Sequence, residues 1–80
     1  MIVLEKKTKK KPDELLKKAK LFFGPEGEGL TIFSEGDCCI TFDGSGGYVT
    51  VTISEESGHT RIKVESREWD YQAKQFLGTL

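Results

Sequence analysis

Between Leu30 and Ser66 apolar side chains recur at alternate positions: Leu30 and Ile32, then Ile40 and Phe42, then Val49, Val51 and Ile53, then Ile62 and Val64. A period of two belongs to strands with one buried face, so the pattern predicts four strands. Residues paired across antiparallel strands share a face, and the registers can therefore be tested against one another. A three-residue loop Glu35-Gly36-Asp37 sets Ile32 opposite Ile40 and Leu30 opposite Phe42, whereas a two-residue loop would send those sets to opposite faces. A four-residue loop "GSGG" sets Phe42 opposite Val49 and Ile40 opposite Val51. A four-residue loop "EESG" sets Val51 opposite Ile62 and Val49 opposite Val64. All the hairpins then bury one common face.

The flanks change period. "MIVLEK" reads as a short first strand and "KTKKK", without apolar period, as a solvated connection. Pro12 suits the first position of a helix, where its missing N–H has no intrahelical partner to lose. Asp13 and Glu14 follow near the positive end of the helix dipole, with Lys17, Lys18 and Lys20 near the negative end. Asp13 with Lys17, and Glu14 with Lys18, have the spacing and order of stabilising pairs. Leu15, Leu16, Ala19, Phe22 and Phe23 form one apolar stripe, and Gly24-Pro25 ends the helix. "GPEGEG" reads as a mobile linker. "SREWDYQAKQFLGTL" predicts a second helix with Ser66 as N-cap, Glu68 and Asp70 complementing its dipole, and Trp69, Ala73, Phe76, Leu77 and Leu80 facing the sheet.

The order β-α-β-β-β-β-α defines an α+β two-layer domain, an antiparallel four- to five-stranded sheet with both helices on its apolar face. It resembles a shortened helix-grip domain of the START or Bet v 1 type, in which a C-terminal helix lies across a curved sheet. The resemblance implies that the first strand joins the last one, giving sheet order 2-3-4-5-1.

Length and composition narrow the picture. A chain of 80 residues forms one domain, and 36% hydrophobic with 31% charged residues is the balance of a globular protein rather than a disordered tail. Per-residue scaling gives a stability of about 4 to 12 kcal/mol. "MIVL" runs directly into "EKKTKKK", so neither a signal-peptide core nor a membrane span is recognisable, and the reading is a cytoplasmic protein whose cysteines remain thiols. Charge is uneven: residues 1–24 carry +5 and residues 25–80 carry −6. The basic set is Lys6, Lys7, Lys9, Lys10, Lys11, Lys17, Lys18 and Lys20, which is either a solubilising face or a polyanion surface.

Candidate chemistry is sparse. Along a strand neighbouring side chains alternate, so Cys38 follows Ile40 inward as a small buried hydrophobe while Cys39 joins Thr41 outside. Such a pair cannot grip one metal, and structural zinc requires about four ligands. The single histidine, His59, lies opposite Ser54 on this register and far from Cys39, whereas Arg61 lies two strands across from Cys39. "GSGG" leads into a strand rather than the helix N-terminus that a phosphate loop needs. Ser57 and His59 lack a nucleophile elbow, and Glu55 and Glu56 lack apolar surroundings that would raise a carboxyl pKa. The expectation is no catalytic, metal or cofactor site.

The outer sheet face is the better candidate. The same register exposes Phe33, Cys39, Thr41, Tyr48, Thr50, Thr52, Arg61, Lys63 and Glu65. The leading reading is a non-enzymatic interaction module that binds a protein partner, or itself, through this face or an uncovered edge strand. Nucleic-acid or polyanion binding through the lysine set is the alternative, with affinity falling steeply in salt. A small apolar ligand would instead need a cavity of about 300 Å³ or more under Trp69 and Phe76.

Overall fold

The computed structural model describes residues 1–80 as β1 (Ile2–Thr8), α1 (Pro12–Phe23), β2 (Thr31–Glu35), β3 (Cys39–Gly44), β4 (Gly47–Glu56), β5 (His59–Arg67) and α2 (Asp70–Gly78). The five strands make one antiparallel sheet in the order β1-β5-β4-β3-β2, with the first strand on the last as expected. Both helices lie on the apolar face, α1 over β3 and β4, α2 over β5 and β1. Neither helix is long and apolar enough to cross a membrane.

The pairing of β3 with β4 is the expected one, Phe42 opposite Val49 and Ile40 opposite Val51. Gly44 and Gly47 also pair, leaving a two-residue turn in which Ser45 and Gly46 take φ of +50° and +78°. Positive φ at both positions matches the twist of the flanking strands. The β4–β5 register differs from expectation: Val51 pairs Val64, Ile53 pairs Ile62, and His59 faces Glu56 rather than Ser54. The turn is Ser57-Gly58, two residues rather than four, so β5 slides by two positions. A slide of two preserves the face of every side chain, which is why Val49, Val51, Ile53, Ile62 and Val64 are all still buried.

β2 departs further. Ile32 pairs Phe42 rather than Ile40, and a bulge between Ile32 and Ser34 brings Ser34 opposite Thr41 and Glu35 opposite Ile40. The bulge adds one residue to β2 and breaks its alternation. Leu30 therefore lies before the strand, buried against Gly44, where an added Cβ would touch its Cγ at 3.4 Å. Gly24–Gly29 is no open linker. The amides of Gly27, Glu28, Gly29 and Leu30 donate to carbonyls of Phe22, Phe23 and Gly24 at 2.9–3.0 Å, folding the segment back on carbonyls that α1 leaves unpaired.

In α1, Leu15, Ala19 and Phe23 are fully buried, with Leu16 and Phe22 half-buried beside them. The ion pair that forms is Lys10 with Glu14, 3.8 Å, and neither Asp13–Lys17 nor Glu14–Lys18 closes. Phe23 is the centre of an aromatic cluster, its ring centroid 5.2 Å from Phe76 and 5.5 Å from Phe42. Phe22 reaches Phe76 at 5.5 Å, which locks the two helices together. These rings fill the space between helices and sheet, and none of the surface depressions is lined by Trp69.

Ser66 is not the N-cap of α2. It belongs to β5, fully buried between Ile2 and Val49 with its hydroxyl unpartnered. The chain turns at Glu68, φ +70°, and Trp69 takes the cap position while its indole N–H donates to Gly44 O at 3.0 Å. Tertiary anchoring of the indole thus replaces the side-chain cap, and only Asp70 lies in the first turn.

β1 runs on through Lys6, Lys7 and Thr8, which pair with Ile62, Arg61 and Thr60, so the solvated connection shrinks to Lys9–Lys11. Cross-strand pairing overrides the weak strand propensity of lysine. Lys6 points inward and donates to the carbonyls of Leu77 and Leu80, both at 2.9 Å. A cation there adds a charged donor to carbonyls at the C-terminal end of α2 and complements the helix dipole. Lys6→Met should keep the aliphatic packing and lose these bonds, lowering unfolding free energy by about 1 to 3 kcal/mol in urea titrations. An unchanged urea midpoint would show the contact to be inconsequential.

Candidate interaction face

Alternation along β3, β4 and β5 places Cys39, Thr41, Tyr48, Thr50, Thr52, Arg61 and Lys63 on the face opposite the helices. All are half-buried except Lys63, which is exposed. The bulge turns Phe33 outward at the β2 edge, 74% exposed. The predicted face is thus assembled as one surface, with Val3, Glu5 and Lys7 of β1 continuing it.

Its polar groups are largely paired internally. Thr41 and Thr50 hydroxyls meet at 3.0 Å. Tyr48 donates its phenol to Glu65 Oε2 at 2.6 Å, and Met1 Sδ lies 3.3 Å from the phenol oxygen. That hydrogen bond requires the neutral phenol and sets a carboxylate against the phenolate, so the Tyr48 pKa is raised. Glu65 is the diagonal cross-strand neighbour of Tyr48, whose direct partner is Arg67. The register expected from the sequence sets Glu65 directly opposite Tyr48, and the slide of two positions moves it to the diagonal, where the carboxylate still reaches the phenol. Phe33, Thr41, Asp43 and Tyr48 line a shallow groove open to solvent, the most apolar feature of this face.

Arg61 is neutralised in place. Its Nε donates to Glu56 Oε1 at 3.1 Å and its Nη1 to Glu5 Oε1 at 3.4 Å. His59 Nε2 lies 2.8 Å from the same Glu56 oxygen. The His59 hydrogen bond, followed by Arg61, holds the Glu56 pKa below its ordinary value of 4.5. Because the folded-state pKa is the lower one, the stabilisation is present above the unfolded value and is lost as pH falls through the folded value. Stability measured from pH 6 down to pH 3 should accordingly fall less for Glu56→Gln than for the parent. Parallel curves would show the contact to be ineffective.

The lysine set does not converge on one surface. Lys6 is occupied by α2, and Lys7 lies on the outer face opposite Arg61. Lys9, Lys10 and Lys11 line a polar groove together with Glu55, Glu56 and His59 of the β4–β5 hairpin. Lys17 and Lys20 border another with Asp13 and Glu35, where Lys20 pairs with Glu35, while Lys18 flanks Leu21 and Phe22 between the helices. Most of the basic end is thus interleaved with acidic side chains that the sequence places far away.

The cysteines overturn their sequence reading. Cys38 and Cys39 are bonded to each other as a disulfide, and it is Cys38 that is exposed while Cys39 is half-buried. Alternation holds only inside a strand, and β3 begins at Cys39. Cys38 belongs to the preceding turn, so nothing directs its side chain into the core. Lys63, not Arg61, shares the row of Cys39, through Thr52.

The fold and face together define a small two-layer α+β domain with one bare sheet face. Comparison with protein-family models, curated proteins and solved structures finds no match for the chain.

Proposed function

We propose that the protein is a non-enzymatic interaction module that takes up an extended segment of a protein partner, or of a second copy, along β2 and the adjoining Phe33–Tyr48 groove. The observation that carries this reading is the state of β2: it is a sheet edge, all five of its residues are exposed, and it presents Phe33 beside an open apolar-lined groove. An edge strand offers an unpaired row of N–H and C=O groups to an incoming strand, and a neighbouring pocket supplies specificity. The opposite edge, β1, carries Lys6 and Lys7, the kind of residue that discourages such pairing. The lysine set supports polyanion binding less well, because Lys10 and Lys20 are paired with Glu14 and Glu35, and Lys9 and Lys11 share a groove with Glu55 and Glu56.

Self-association is read first, by light scattering across concentration with and without reductant. Selection from a library of random extended peptides then reads heterologous binding. The expected result is either a concentration-dependent dimer or an enriched peptide family, in each case lost in Phe33→Glu. A strict monomer that enriches no peptide would overturn the reading, as would binding that Phe33→Glu leaves intact.

A further inference from the structure

We propose that Cys38–Cys39 is a reversible thiol–disulfide site that exchanges with low-molecular-weight thiols at Cys38 and, on opening, loosens the β2–β3 edge of the sheet. The two sulfurs are already joined, and the pair stands at the sheet surface with Cys38 exposed. Access decides which sulfur an external thiolate reaches. A small thiolate attacks Cys38 Sγ, forming a mixed disulfide there, while the Cys38–Cys39 bond breaks and Cys39 leaves as a thiolate that takes a proton from water. A second thiolate attacks the sulfur of the small thiol in that mixed disulfide and expels Cys38. Two electrons pass to the protein, which becomes the dithiol, and the two small thiols leave as their own disulfide. Run backwards, the low-molecular-weight disulfide restores the bond.

The structural consequence follows from where the two carbonyls go. Cys38 O accepts the Ile53 N–H at 2.8 Å, tying the turn to β4, and Cys39 O accepts the Gly36 N–H at 2.8 Å, closing the β2–β3 connection. The disulfide makes the 38–39 peptide part of an eight-membered ring, which fixes the direction of the Cys38 carbonyl and holds the Cα of Cys39, to which the second carbonyl is attached. Opening the ring returns rotational freedom to that peptide, weakening the Cys38 anchor to Ile53 directly and the Cys39 anchor to Gly36 through the freed Cα of Cys39. β4 and β5 are bonded to neighbours along their length and do not depend on it.

The chemistry is tested with glutathione and iodoacetamide on the folded protein, read by intact mass. The untreated protein should take no alkyl group, and glutathione-treated protein should take two. With oxidised glutathione as the probe, Cys39→Ser should form its adduct on Cys38 at least ten times faster than Cys38→Ser forms one on Cys39. In hydrogen exchange the dithiol form should show Gly36 and Ile53 amides at least five times faster, with Val51 and Val64 unchanged. Two alkyl groups on untreated protein, reduction only after denaturation, equal adduct rates, or exchange that is unaltered or uniformly raised would each overturn the proposal. Protection at Val51 and Val64 certifies that a variant is folded, and the oxidised and reduced parent carry the exchange test by themselves. No binding partner is needed, so failure here is separable from failure of the edge-strand reading.

Discussion

Phe23→Ala is expected to remove about 3 to 5 kcal/mol of unfolding free energy, the usual loss when a buried aromatic ring is deleted. Phe23 has no exposed surface and is the residue through which α1, α2 and the sheet all meet. Its ring touches Phe22, Phe42 and Phe76, with centroids 4.9 to 5.5 Å apart. Neighbouring rings are held by their own strands and helices, so the hole cannot close, and a cavity term adds to the lost transfer energy. A domain of this size holds about 4 to 12 kcal/mol in total, so the variant should stand at or near the edge of folding. Leu21→Ala, in the same helix but 56% exposed, controls for helix propensity and should change stability by less than about 1 kcal/mol. A Phe23→Ala unfolding free energy from urea titration within about 1 kcal/mol of the parent would contradict the packing described.

Gly47→Ala should also be strongly damaging, for a different reason. A Cβ at Gly47 would overlap the carbonyl oxygen of Arg67 and approach Glu68 Cβ at 2.6 Å. The first obstacle is backbone and cannot rotate away. Relief requires the end of β5 to move, which strains Glu68 at φ +70° and the Trp69 bond to Gly44. Overpacking of this kind costs about 1 to 3 kcal/mol, and the rigid obstacle favours the upper figure. At 4 to 8 °C per kcal/mol for a domain of this size, Tm should fall by roughly 10 °C or more. Trp69 fluorescence should shift as well, because the indole loses its acceptor. Gly36→Ala is the control: nothing lies within 4 Å of its added carbon and its φ is not positive, so Tm should hardly move. Equal melting of Gly47→Ala and the parent would mean that β4 and β5 do not approach this closely.

These contacts show which parts of the architecture could be read before folding. The buried set from Ile40 to Val64 followed from alternation alone. The stripes of α1 and α2 followed from helical spacing, and Thr41, Thr50 and Thr52 on the reverse face followed from the same parity. Ser66 failed because a serine before acidic residues looks like a cap, whereas β5 continues through it. Cys38 failed because parity was extended one residue beyond the strand. The pairing of Tyr48 with Glu65 was within reach of the expected register, whereas the partners of Arg61 and Lys6 were illegible, since they depend on the hairpin slide and on a helix docked from the far end of the chain.

Side-chain parity is a local property: every second residue of a strand points the same way whatever its neighbours do. The amino-acid sequence by itself therefore determined the elements, the buried face and the bare face. Sliding a strand by two residues leaves that parity untouched, so hydrophobic pattern carries no information about it. Turn hydrogen bonds and close backbone packing decided the slide, and with it the neighbour of each polar side chain. The β2 bulge, the Cys38–Cys39 bond and the Lys6 cap on α2 are likewise products of three-dimensional approach.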